Sequence, residues 1–310
     1  MSNRVHFGIC LPQFASTWNQ AREVAQAADE AGLDSVWCVD HLVGIPFEKE
    51  APFEAWTELA AVAAVTRRVH LGHQVLCVFF RPPALLAKMA ATLDVISGGR
   101  MIVGLGAGWH EPEATMYGYD FPSIGTRLAQ LGEACELLRR MWTEERTTFT
   151  GRHFRTNEVL CEPKPAQARL PILIGGGGER VLLRLVARHA DMWNNLGAYH
   201  ADVARKRDIL HAHCRAVGRD PADILISQQT LAAIALDRTA AARRSQTVLD
   251  ELAFLEGSPE LALVGTPDEI RARVERNRAL GIGGFIMSFG RRTDPEHVRL
   301  FGREVVAAYR

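Results

Sequence analysis

Short apolar runs alternate along this chain with stretches in which apolar residues recur every three to four positions. The first run, Val5 to Leu11, ends at Pro12-Gln13. A helical pattern follows over about Trp18 to Ala31, with Val24, Ala27, Ala28 and Ala31 on one face, and Gly32 stands where a left-handed C-cap suits a residue without a Cβ. Ser35 to Val39 form a second run, stopped by Asp40-His41, and a second helix covers roughly Phe53 to Thr66. The third run, Val69 to Cys77, precedes a helix from about Pro82 to Ile96, whose prolines sit where a missing N–H does no harm. Ser97-Gly98-Gly99 ends that helix. The rest of the segment to Trp109 reads as a short buried strand, the fourth, with Gly104, Gly106 and Gly108 at alternate positions along its glycine-rich exit. Beyond a helix over roughly Ile124 to Trp142, Thr147 to Pro165 read as a small inserted hairpin. The fifth strand, Pro171 to Ile174, runs into Gly175-Gly176-Gly177-Gly178 and a helix that starts near Glu179-Arg180 and reaches His189. Asp191 to Asn195 are the sixth run, Ile224 to Ile234 the seventh and Gly284 to Ser288 the eighth. Helical patterns lie between and after them at roughly Ala201 to Val217, Ala240 to Leu255 and Pro267 to Leu280, with one more closing the chain.

Eight such runs alternating with helices predict an α/β protein with a parallel sheet covered by helices. Eight units over 310 residues predict a closed (β/α)8 TIM barrel with short insertions, in one domain over 1–310. An open doubly wound sheet is the alternative.

Composition narrows the function classes. The formal net charge is +0, so nothing favours nucleic acid or an acidic membrane surface. The six cysteines are scattered without a C-x-x-C pair, which predicts reduced thiols in a cytoplasmic protein and no zinc site. The histidines lack ligand spacing, so no metal is expected. Neither a signal peptide nor an apolar run of membrane-spanning length stands out.

In a barrel of this kind the active site lies at the C-terminal ends of the strands, and the unusual residues of this chain fall there. Asp40-His41 follow the second strand. A histidine exchanges protons near neutral pH and an adjacent carboxylate can orient it, so His41 is the candidate acid or base with Asp40 holding it. The plainer alternative is a turn that Asp40 caps. The alternate glycines invite a dinucleotide reading, but G-x-G-x-x-G needs a glycine where Trp109 stands. Gly106, Ala107 and Gly108 are therefore expected to open room for a flat ring. Gly175, Gly176, Gly177 and Gly178, ahead of Glu179, form either an anion nest for a phosphate or simply a tight loop. Trp109 and Trp193 stand at rim positions, where each either walls a flat ring or packs into the core; Asn194 closes the sixth strand beside Trp193. Trp37, in mid-strand, is core.

The chain resembles the luciferase-like family of flavin and deazaflavin oxidoreductases over nearly its whole length. The resemblance is carried by Phe7-Gly8-Ile9-Cys10-Leu11-Pro12-Gln13, by Gly32-Leu33-Asp34-Ser35-Val36-Trp37 with Asp40-His41, and by Arg81-Pro82-Pro83-Ala84-Leu85-Leu86-Ala87-Lys88. Further carriers are Ser97 to Trp109, Pro171 to Gly178, Ala190-Asp191-Met192-Trp193-Asn194 and Gly265-Thr266-Pro267-Asp268-Glu269. Within the family the chain is most similar to the branch that uses coenzyme F420, a 5-deazaflavin, with FMN as the alternative cofactor. The resemblance implies a TIM barrel with the cofactor ring across the strand ends and a non-proline cis peptide near Gln74-Val75. It implies cofactor contacts at Asp40, His41, Gln74, Val75, Gly106 to Gly108, Gly175 to Glu179, Trp193 and Asn194. It also implies hydride transfer to or from a small organic substrate, with His41 moving the proton, and a homodimer. The alternatives are an FMN-dependent monooxygenase fed by a separate reductase and a flavin-binding protein without catalysis. Sugar-phosphate dehydrogenases of this family carry a glutamate acid where this chain has Trp109, so that acid is missing or comes from Glu111 or Glu113.

Overall fold

A computed structural model describes residues 4–14, 16–45, 50, 52–251 and 262–310. Strands β1 (His6–Cys10), β2 (Ser35–Cys38), β3 (His70–His73), β4 (Leu76–Cys77), β5 (Met101–Gly106), β8 (Ile172–Gly175), β9 (Met192–Asn195), β10 (Leu225–Ile234) and β12 (Gly284–Ser288) form one parallel sheet. Its order is β10-β12-β1-β2-β3-β5-β8-β9, and β10 pairs back onto β9, with Leu225 opposite Met192 and Gln228 opposite Asn195. That pairing closes the eight-stranded barrel, and the open doubly wound sheet is excluded. Strands β6 (Thr147–Thr150) and β7 (Arg155–Val159) are the expected hairpin insertion.

Helices α1 (Trp18–Glu30), α2 (Ala55–Val65), α3 (Pro83–Ser97), α5 (Ile124–Thr143), α6 (Leu182–His189), α7 (Val203–Ala216), α8 (Arg238–Glu251), α9 (Pro267–Ala279) and α10 (Pro295–Glu304) make the outer layer. For the pattern at Ala240 to Leu255, the last four residues lie outside the described ones. Among the described strands and α-helices, two have no counterpart in the sequence reading: α4 (Glu111–Met116), and β11 (Leu263–Gly265), which pairs with the far end of β10. Among the described residues no helix is long and apolar enough to cross a membrane.

Each strand divides its side chains between two apolar layers, as the period of two requires. Phe7, Ile9, Val36, Val103, Ile174 and Phe285 face the helices. Trp37, Ile102, Leu173, Met192 and Ile286 fill the barrel interior. The Trp37 indole donates to the Ser35 hydroxyl at 2.7 Å and fills the space that Gly72 leaves; a Cβ on Gly72 would fall 2.3 Å from its ring. Trp37 is core, as expected.

The third run is broken. The peptide between Gln74 and Val75, which separates β3 from β4, is cis, as the resemblance implied. This bulge explains the alternate glycines. A Cβ on Gly104 would fall 1.7 Å from the His73 carbonyl oxygen, and one on Gly106 2.6 Å from Val75. On the other side a Cβ on Gly175 would fall 2.9 Å from Val75, and a Cβ on Gly108 would meet Cys77 and Phe79 at 2.6 Å. The space beside these glycines is taken by the bulge and by the segment after it.

Candidate active site

His41 lies just past β2 at the C-terminal mouth, and its Nδ1 is 3.0 Å from Glu113 Oε2. Glu113 is buried, and its other oxygen accepts from the backbone amides of Leu42 and Val43. Burial pushes the Glu113 carboxyl up, but the hydrogen bond and charge of His41 and the two amides together hold it below the usual carboxylate range. Glu113 thus fixes both the imidazole and the loop that carries it. Helix α4 delivers it, with Pro112 in its first turn and with Tyr117, just past its end, donating to the Leu42 carbonyl at 3.1 Å. Of the two glutamates considered as acids, Glu111 is exposed and only Glu113 reaches His41.

Asp40 does not hold His41, which corrects the sequence reading. Its carboxylate makes two bonds to Arg81, at 2.9 and 3.0 Å, and accepts the Cys77 amide at 2.9 Å. Burial raises the Asp40 carboxyl against the pull of Arg81 and that amide. Arg81 also bonds Glu54 at 2.7 Å, and Glu54 caps α2, so one guanidinium joins the β2 exit, the start of α2 and the β4 exit. Successive residues on an extended chain point to opposite sides, and here they serve different partners.

Inside the mouth, Gln74 donates to Asn194 at 3.1 Å, and Asn194 donates to Ser227 at 3.0 Å. Among the described residues the buried Gln74 Oε1 has no hydrogen-bond partner. Trp193 is not a ring wall: it is fully buried in the helix-facing layer, and its indole N–H donates to the Gly176 carbonyl at 2.7 Å, bracing the glycine loop from behind. Trp109, by contrast, is 64% exposed and stands edge-to-face to His41 at 5.7 Å.

The glycine loop differs from the expected nest. The Gly176 amide donates to the Asn194 carbonyl at 3.1 Å, so it is not available to an anion. Helix α6 starts at Leu182 and not at Glu179. The Glu179 carboxylate is held by Arg205 at 2.7 Å and Lys206 at 3.1 Å, and the buried Lys206 also bonds the Gly177 carbonyl at 2.7 Å. The loop therefore has a cation built beneath it, supplied by α7, and Glu179 serves to place that cation. Arg81 and Lys206 are the site residues that the sequence reading missed. Arg81 sits within a stretch that carried the resemblance; Lys206 has no local signal, because only tertiary folding brings α7 to the loop.

A sequence profile described as luciferase-like monooxygenase matches residues 5–259. The chain belongs to this family. It is 35% identical over 172 residues to the "F420-dependent glucose-6-phosphate dehydrogenase" of Amycolatopsis mediterranei, covering 54% of this chain and 50% of that protein. It is 34% identical over 174 residues to "Pyrimidine monooxygenase RutA" of Stutzerimonas stutzeri, covering 54% and 48%. The chain thus spans about half the length of the curated relatives it matches. A structure titled "F420-dependent secondary alcohol dehydrogenase in complex with an F420-acetone adduct" superposes with a TM-score of 0.84 at 20% identity, over 99% of both chains, and supports the barrel fold.

For a luciferase-like chain the mouth fits a flat ring on its own geometry. Gln74 leaves a buried acceptor without a partner among the described residues, and His41 stands at the edge. A tricyclic ring with an N–H edge would satisfy Gln74 Oε1, since an unpaired buried acceptor is otherwise unfavourable by about 1–3 kcal/mol.

Proposed function

We propose that this chain is an F420-dependent oxidoreductase that acts on a small organic substrate, with His41 as the group that moves the proton. The observation that carries the reading is the His41–Glu113 pair at the barrel mouth. A carboxylate on Nδ1 orients the ring and leaves Nε2 for the reacting molecule. Bound F420 supplies a hydride carrier that takes or gives two electrons together. The residues of this chain do the rest. Nε2 of His41 gives a proton to, or takes it from, a substrate oxygen. Glu113 orients the ring. The backbone at Gln74 and Val75 would back the cofactor, with Gly106 to Gly108 and Asn194 around it, and Lys206, tied to the Gly177 carbonyl and to Glu179, would hold the Gly175 to Gly178 loop in shape for a phosphate. Asp40 acts through Arg81 by holding the β4 exit in place. We also propose a homodimer in the cytoplasm as the working state.

Titration of the purified protein with F420 and with FMN tests the cofactor. F420 is expected to bind tightly; tight FMN binding without F420 binding would overturn the reading. His41→Ala is expected to keep F420 affinity and lose about 10²–10⁴-fold in turnover. Unchanged turnover would remove His41 from the mechanism, and F420 binding with no turnover in the parent protein would favour a protein that binds the cofactor without catalysis. The second reading is an FMN monooxygenase fed by a separate reductase, which the likeness to a pyrimidine monooxygenase favours. Oxygen uptake with reduced FMN decides it.

A further inference from the structure

The surroundings of His41 have a chemistry of their own. The Trp109 ring lies 5.7 Å from it, the Phe14 ring 6.3 Å and the His110 ring 6.5 Å. Trp109 is 64% exposed although it stands beside a buried carboxylate, and Tyr117, tied to the His41 loop through the Leu42 carbonyl, is 55% exposed. Isolated exposed apolar residues need no explanation, but aromatic faces gathered around one titratable group at a barrel mouth form a recognition surface. The charges of this quarter are already matched. Glu113 is held by His41 and two amides, and Arg81 by Asp40 and Glu54. Arg127 bonds the Ala107 and Pro122 carbonyls and lies 3.9 Å over the Phe121 ring. A phosphate dianion at His41 would have to draw a guanidinium from its partners while approaching Glu113.

We propose that this mouth selects a neutral, flat, apolar substrate of the aromatic-ketone type, with Trp109 as its specificity-determining contact, and rejects sugar phosphates. The inference rests on the reading of His41 as the proton-transfer group, because a molecule that meets Nε2 must also meet these rings. An indole face on an aromatic ring contributes about 0.5–1.5 kcal/mol beyond area burial, up to roughly tenfold in affinity. A glutamate in place of Trp109 would remove that face and add a second carboxylate.

Calorimetric titration of the full chain with 2-acetonaphthone and with glucose 6-phosphate tests this, each with and without saturating oxidised F420. The ketone is expected to bind in both conditions and the sugar phosphate in neither. Trp109→Ala is expected to weaken the ketone about tenfold, and Trp109→Glu further, with F420 affinity unchanged in both. Displacement of the ketone by F420 would place it in the cofactor's position and overturn the proposal. So would absent ketone binding, ketone binding indifferent to Trp109→Ala, or glucose 6-phosphate binding as tightly as the ketone. F420 binding is read separately in the same series, so failure of the cofactor reading cannot be mistaken for failure of this one.

Discussion

At the scale of single residues, two adjacent side chains do two separate jobs. His41 faces Glu113 across a separation of 72 residues, and Asp40 faces Arg81 across 41. Glu113→Gln would replace the acceptor on Nδ1 with an amide that can also donate, and would remove the negative charge beside the ring. Turnover is expected to fall about 10²-fold, with cofactor affinity retained. Steady-state kinetics beside a cofactor titration checks this, and unchanged turnover would reduce Glu113 to a loop anchor. The sequence made Asp40 and His41 visible because their residue types and their place after a strand are local facts. It did not reveal the partners. A helix of six residues with a proline in its first turn, such as α4, is too short to display a period, so the element that carries Glu113 was invisible.

At the scale of elements, the count and order of strands were legible, because each buried strand is a short apolar run bounded by turn residues. The break in the third strand is a different matter, since a run such as Val69 to Cys77 looks the same whether or not it is bulged. Its signature lies on the neighbouring strand, where Gly104 must admit the His73 carbonyl. Gly104→Ala would force that carbonyl or β5 to move, and overpacking of this kind is unfavourable by about 1–3 kcal/mol. The expected result is a lower melting temperature together with weakened F420 binding. Gly125→Ala in α5, where a Cβ meets nothing nearer than 3.9 Å, is the control and should be neutral or stabilising. A Gly104→Ala protein as stable as the parent would show that the bulge is not held by this contact.

At the scale of the whole molecule, buried titratable groups set the pH window. Burial lowers His6 to about 4, His73 to about 3 and His189 to about 4, from 6.5. The unfolded chain takes up these protons before the folded one does, so stability is complete above pH 6.5 and is lost as pH falls from there towards 4 and 3. Glu58 acts in the opposite direction. Burial raises it to about 7, so its contribution is complete below 4.5 and is lost as pH rises through 7. Three histidines outweigh one glutamate, and the melting temperature is expected to fall steeply below pH 6. Glu58→Gln should raise it by a few degrees at pH 8 and change little at pH 4.5. Melting curves across pH 4 to 8 check both; a flat profile would contradict the burial of these rings. The contact between Gly104 and the His73 carbonyl has a consequence at this scale as well. The bulged segment 70–77 requires a neighbour without a Cβ at 104 and 106. In any recombination between relatives, or any grafting of a new mouth onto this barrel, residues 70–77 and 101–108 must travel as a pair, although 23 residues of helix and turn separate them.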